Sequence, residues 1–255
     1  MPFYKAWLET RWRFLSGLAV LVCAAAAIVL AYPRAAAVLR EAARFDRASE
    51  LGRQIAEDLD LLGSYRGYIW AQWFRQTMRQ LWALFAVMLG TGGLLAQTSS
   101  GGALYTLSLP LSRSRLLGIR AATALAELAV LALVPALVVP LASPAVGQSY
   151  SVADALVYGL CTFVAGSTLF SLTFLLSTVF ADIWRPPLIV LCLAGVLALV
   201  REGFEGPSTA SLLGVMTAES YFQGHGLPWL GLLGTVALSL LFLNAANRNI
   251  ARQDF

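Results

Sequence analysis

Lysine is almost missing from this chain, and Lys5 is the only one. A phosphate-cradling P-loop sets a lysine beside its glycines, and Lys5 stands in a segment with no glycine, so the chain carries no such loop for ATP. Histidine is as scarce, with His225 alone, and Cys23, Cys161 and Cys192 all fall inside apolar runs. Cysteines placed there pack as small hydrophobes and supply neither a disulfide framework nor a metal cluster. No metal ligand set and no cofactor bound by this chain are expected. Charge is short too, at 13% of residues, against about a quarter in soluble domains.

Apolar residues fill the space, at 58% of the chain with a mean hydropathy of +0.71. Six continuous runs, 15–32, 81–96, 121–142, 155–180, 186–200 and 227–246, approach or exceed the length a helix needs to cross a bilayer, about 20 residues. Helices satisfy their own backbone inside lipid, and these runs do not alternate as barrel strands do. The expected fold is therefore all-α: a polytopic integral membrane protein with six transmembrane helices, forming one domain over 1–255. The runs 81–96 and 186–200 are short and borrow flanking residues. Residues 1–14 precede the first run without the pattern of a removable signal peptide. There Lys5, Glu9 and Arg13 line up four apart, as do Tyr4, Leu8 and Trp12, which predicts an interfacial helix with one charged stripe toward water.

Basic residues in short loops mark the cytoplasmic side. The loop 97–120 holds Arg113, Arg115 and Arg120 and no acid, and the chain end adds Arg248 and Arg252. Both termini are thus expected in the cytoplasm, in the inner (plasma) membrane. The loop 33–80 then lies outside, with eight arginines offset by six acids. Within it Val38, Phe45, Ile55, Leu59 and Leu62 recur at roughly helical spacing, an amphipathic extracytoplasmic helix. Tyr65, Tyr68, Trp70, Trp73 and Phe74 follow as an aromatic belt before the second span.

Two side chains inside the spans invite a chemical reading. Glu127 is the one ionisable residue deep in an apolar run, and charge in lipid is expensive enough to make such a group a functional candidate. It stands two helical turns past Arg120, and a Glu reaching back toward that arginine is the structural alternative. Ser167 and His225 resemble the nucleophile and base of rhomboid-type intramembrane proteases, but Thr168 replaces the glycine expected after the serine, and His225 precedes the sixth span. Small-residue helix packing explains Ser167 as well.

The basic loop reads "LLAQTSSGGALYTLSLPLSRSRLLGIRAA". Its core Leu107, Leu109, Pro110, Leu111, Ser112 and Arg113, continued by Arg115 and Arg120 and preceded by Gly101 and Gly102, is similar to the signature of ABC-2 type permeases. Those are membrane subunits of ATP-binding cassette exporters. Gln97 and Thr98 stand near the place of that family's usual acidic residue. The resemblance implies an elbow helix over 1–14 and a cytoplasmic coupling helix in the 97–120 loop. It also implies a separate nucleotide-binding subunit, an ABC ATPase, that holds ATP and Mg. A second permease copy or a homologous permease would complete the pathway in the lipid bilayer. The chain itself is then not an enzyme, and no nucleic acid partner is expected. A polytopic scaffold or assembly factor that recruits a cytoplasmic protein through the same loop is the alternative of a different class.

Overall fold

A computed structural model describes residues 2–42, 62–91, 113–180, 182–203 and 211–251. Among them every regular element is helical. The apolar run that opens the chain does not stand apart from the residues before it. One helix, α1, runs from Pro2 to Ala42, so the expected elbow and first span are continuous, and the helix passes through Pro33 without ending.

The second helical stretch departs from expectation. It opens at Tyr65, where the Ser64 hydroxyl accepts the Gly67 N–H at 3.0 Å. It proceeds as α2 (Tyr65–Ile69), a π-helix over Trp70–Met78 and α3 (Arg79–Gly90). Residues 65–80, read above as the end of an outer loop, are therefore helix. Trp70, Phe74, Met78 and Trp82 are all buried, and the wider π winding keeps residues four apart on one face. This stretch lies antiparallel to α1. Arg13 reaches Met88, a Cβ on Gly17 would stand 2.9 Å from the Phe85 ring, Tyr68 donates to the Ile28 carbonyl at 3.4 Å, and Tyr32 meets Tyr65 edge-on at 4.7 Å.

Helix α4 (Arg113–Ala142) carries Pro135 and Pro140 inside it and hands over to a 3-10 turn, Ser143–Val146, closed by Gly147 in the left-handed region. Helix α5 (Val152–Ser177) starts where the Ser151 hydroxyl accepts the Asp154 N–H at 3.2 Å. It is the centre of the bundle, packed against α3, α4 and the last helix, α9 (Trp229–Ala251). Glycines allow the closest approaches. A Cβ on Gly166 would overlap the Trp82 ring, and one on Gly159 would stand 3.2 Å from the Ala132 carbonyl. Buried hydroxyls add cross-links that apolar packing cannot supply. Thr162 donates to the Met216 carbonyl at 3.1 Å, and Thr168 donates to the Thr235 carbonyl at 3.3 Å.

Helix α6 (Arg185–Gly203) packs on α3 and α5, and two short helices, α7 (Leu212–Met216) and α8 (Glu219–Phe222), cap one end. Between them Ala218 takes a positive φ of 47°, a conformation that side chains other than glycine rarely adopt. The preceding Thr217 carbonyl accepts the Trp70 indole N–H at 3.1 Å, which ties this turn to the π-helix.

Four helical stretches are long and apolar enough to cross a membrane: Ala6–Val38, Ser114–Val146, Val152–Ser177 and Trp229–Ala251. They correspond to the expected spans 15–32, 121–142, 155–180 and 227–246. Apolar side chains also cover the outer faces, with Leu230, Leu233, Leu240 and Leu241 of α9 and Leu188, Leu193 and Leu199 of α6 exposed. A bundle that is apolar outside as well as inside is a membrane protein. The expected span 186–200 falls in α6, whose apolar part Arg185–Leu199 is shorter, and 81–96 falls partly in α3 and partly outside the described residues.

Candidate functional site

The candidate site gathers around the two ends of the loop that bears the Leu-Pro-x-Ser-Arg sequence. Residues 92–112, and with them Leu107, Leu109, Pro110, Leu111 and Ser112, lie outside the described residues. The anchors on either side do not. Arg113 begins α4, and Arg115 is exposed on its first turn.

On the side leading into the loop, the Arg13 guanidinium of α1 donates to the Met88 carbonyl at 3.1 Å and to the Thr91 hydroxyl at 3.0 Å. Those groups close α3, and a helix end leaves carbonyls without intrahelical partners, so an arginine from another helix completes it. Thr91 also donates its own hydroxyl back to the Met88 carbonyl at 2.7 Å. On the side leading out of the loop, Arg120 of α4 pairs with Glu9 of α1 at 3.3 Å. One turn of α1 thus grips both flanks. Glu9 and Arg13 lie four residues apart, one helical turn, and each reaches a different helix.

Deeper along α4, Glu127 is buried, and Thr10 donates its hydroxyl to one carboxylate oxygen at 2.6 Å. The other oxygen, Oε2, is buried without a hydrogen-bond partner. Thr10 has further acceptors in the Ala6 and Trp7 carbonyls, at 3.2 Å and 3.3 Å, but its single proton favours the shortest contact, to Glu127. The expectation that Glu127 reaches back to Arg120 is therefore corrected. Each has a separate partner on α1, Arg120 with Glu9 and Glu127 with Thr10, because α1 packs along this part of α4 and offers nearer groups. The charged stripe of the first helix also does more than meet water: Glu9 is exposed and Arg13 half-buried, yet each bonds a neighbouring helix, while the side chain of Lys5 lies outside the described residues.

Thr10 was not legible as a site residue. A lone threonine beside a charged pair carries no signal until its partner 117 residues away is known.

The serine and histidine compared with a protease are not brought together. Ser167 donates to the Val164 carbonyl at 2.7 Å and shares a hydrogen bond with Ser239 at 3.2 Å. His225 is exposed in the turn before α9, its backbone N–H bonded to the Ser220 carbonyl at 2.9 Å.

The opposite end of the bundle is aromatic. Trp70 stacks on Phe222 with ring centroids 4.1 Å apart, and Tyr65 meets both Tyr32 and Tyr150 edge-on. Arg66 forms an ion pair with Asp154 there at 3.4 Å, and Tyr221 donates to the same carboxylate at 2.9 Å. Among the described residues no group of His, Cys, Asp and Glu side chains has the arrangement to hold a metal ion. No family model, curated protein or solved structure matches the chain.

Proposed function

We propose that the chain is the transmembrane permease subunit of an ATP-binding cassette exporter, driven by a separate nucleotide-binding subunit through the 97–120 loop. The observation that carries this reading is the grip of α1 on both flanks of that loop, through Arg13 on Met88 and Thr91 and through Glu9 on Arg120. A loop that only joins two helices needs no such tie. A loop that is pushed by a partner does, because force delivered to it must reach the helices that line the pathway.

In this reading Pro110 fixes a bend, and Leu107, Leu109 and Leu111 present an apolar surface to a cleft on the ATPase. Arg113 and Arg115 meet its carboxylates or lipid phosphates. ATP and Mg stay with the partner, and two permease copies, identical or homologous, face each other in the bilayer. Both termini are cytoplasmic. Glu127, held by Thr10, is the polar lock that keeps α1 and α4 moving together.

The test is affinity purification of the tagged chain from its native membrane, wild type beside Arg113→Glu/Arg115→Glu, with ATP hydrolysis measured on what is retained. Wild type is expected to retain an ATPase that the variant loses or no longer stimulates. If no ATPase accompanies the wild type under conditions that preserve complexes, the permease reading fails, and a scaffold that recruits another protein becomes the better account.

A further inference from the structure

The helix from Tyr65 to Gly90 has a polar flank. Gln76 and Gln80 are exposed, Arg75 is exposed with its guanidinium 5.5 Å from the Trp70 ring centre, and Gln72 and Arg79 are half-buried beside them. The opposite flank is the buried aromatic row of Trp70, Trp73, Phe74, Met78 and Trp82.

The depth of this polar flank follows from the pairing with α1. Phe85 lies against Gly17 and Tyr68 against Ile28, so residues 72–80 stand beside the stretch of α1 between those points, the middle of its apolar span. At that depth exposed arginine and glutamine cannot face hydrocarbon, because lipid offers them no hydrogen bonds. They face water or protein. A second copy pressed flank to flank would set Arg75 against its own counterpart in a low dielectric, which like charges oppose.

Charge on this helix is one-sided. From Ser64 to Gly90 the sequence has no Asp or Glu and three arginines: Arg66 pairs with Asp154, Arg79 is engaged within the protein, and Arg75 lies over the Trp70 ring. Of the helices packed beside this one, Leu18–Ala26 of α1, Ala155–Ser177 of α5 and Leu188–Leu197 of α6 carry no charge, and α4 brings Glu127, which Thr10 holds. The nine π-helical residues Trp70–Met78 sit at the same place, and such windings recur at functional sites.

We infer that Gln72, Arg75, Gln76, Arg79 and Gln80 line a water-filled cleft at membrane depth that admits an anionic solute. The amides hydrogen-bond it, and Arg75 supplies the attraction. The inference rests on the chain spanning a membrane and not on the ATPase partner.

The test uses the full chain in membranes, with Gln76→Cys treated by sulfonatoethyl methanethiosulfonate, an anion, or by its trimethylammonium analogue, a cation. Peptide mass spectrometry reads the modification, and rates are normalised to those with β-mercaptoethanol. Native Cys23, exposed on α1 at similar depth and turned away from Leu21 and Ala25, is the internal standard for a lipid-facing thiol. The introduced thiol is expected to react at least about tenfold faster than Cys23, since thiolate forms only where water reaches, and to favour the anionic reagent. Adding Arg75→Gln should lower that preference roughly tenfold, about threefold from each reagent, the effect of one unit charge about 6 Å away in water. Gln80→Cys, on the same flank, repeats the measurement if the first variant does not accumulate. Reaction no faster than at Cys23 overturns the cleft. So does oxidative cross-linking of two copies through the introduced thiol while both reagents are excluded, which would make the flank a copy interface. Equal rates with anion and cation overturn the charge preference. No ATPase is needed for the readout, so either result leaves the permease proposal to its own test.

Discussion

The two ends of α1 are held by different physics. Near residues 9–13 it is held by directed polar bonds, Arg13 to Met88 and Thr91, Glu9 to Arg120 and Thr10 to Glu127. Near residues 28–32 it is held by ring packing, with Tyr32 against Tyr65 and Tyr68 at 4.7 Å and 5.3 Å. Charged pairs are directional and are lost together when geometry shifts, whereas rings slide across one another with little change in buried area. The polar end is suited to passing on a displacement, and the aromatic end to absorbing one.

The largest loss expected from a single change is at the aromatic end. Trp70→Ala removes a buried ring, its stack on Phe222 and its bond to the Thr217 carbonyl. It should cost about 3–5 kcal/mol, read as thermal unfolding of the detergent-solubilised chain. A loss below about 1 kcal/mol, the scale of one hydrogen bond, would mean that ring packing does not hold that end.

At the polar end, Thr10→Val strands the Glu127 carboxylate without its donor and should cost about 1–3 kcal/mol. Glu127→Leu on top of it should recover most of that, because the buried group left unsatisfied is then gone. If the double variant is less stable than Thr10→Val alone, Glu127 has a further partner, and the lock described here is incomplete.

Tyr221→Phe removes one hydrogen bond to Asp154 and should cost about 0.5–1.5 kcal/mol. The same end carries the alkaline sensitivity. Burial first, then the neighbouring Tyr158 and Asp154, hold the Tyr150 phenol above its ordinary value of 10.0. The folded chain therefore keeps a proton that the unfolded chain releases. The stability from that proton difference is present in full below about pH 10 and is lost as pH rises toward the folded value. Tyr150→Phe should flatten the fall in melting temperature between about pH 9 and pH 11.5, the range over which phenols titrate. Parallel falls in wild type and variant would move the sensitivity elsewhere.

The smallest effect belongs to the more accessible pair. Glu9→Gln should cost about 0.2–1 kcal/mol in stability, yet weaken ATPase stimulation if the loop transmits force. Unchanged stimulation would separate the Glu9–Arg120 pair from coupling.

The four longest apolar runs are legible because averaging hydropathy along a chain detects a helix that is apolar on every side. The helix over 65–90 defeats the same average. Its tryptophans and its glutamines and arginines lie on opposite flanks, so the mean over residues such as Gln72 to Gln80 looks like a loop. The π winding hides it further, because Trp70, Phe74, Met78 and Trp82 repeat every four residues rather than at the α-helical period. Of the candidate site, Arg120 and Glu127 could be named from charge in an apolar setting. Their partners could not, since Glu9 and Thr10 meet them only through tertiary packing of α1 on α4.

Helix α1 has 41 residues, which at 1.5 Å per residue is about 60 Å, twice the hydrocarbon thickness of a bilayer. It touches the Phe85 ring at Gly17, where no side chain intervenes. That contact has the form of a fulcrum with unequal arms: a short one ending in Glu9 and Arg13, and a long one ending beyond Tyr32. A tilt of one degree about Gly17 carries the helix at Pro33 sideways by roughly 0.4 Å, several times the movement at Arg13. Pro33 lacks the N–H that would bond the preceding turn, so the long arm is softest where its excursion has become large. A small displacement at Glu9 and Arg13 would thus be enlarged along α1 by the time it reaches Pro33.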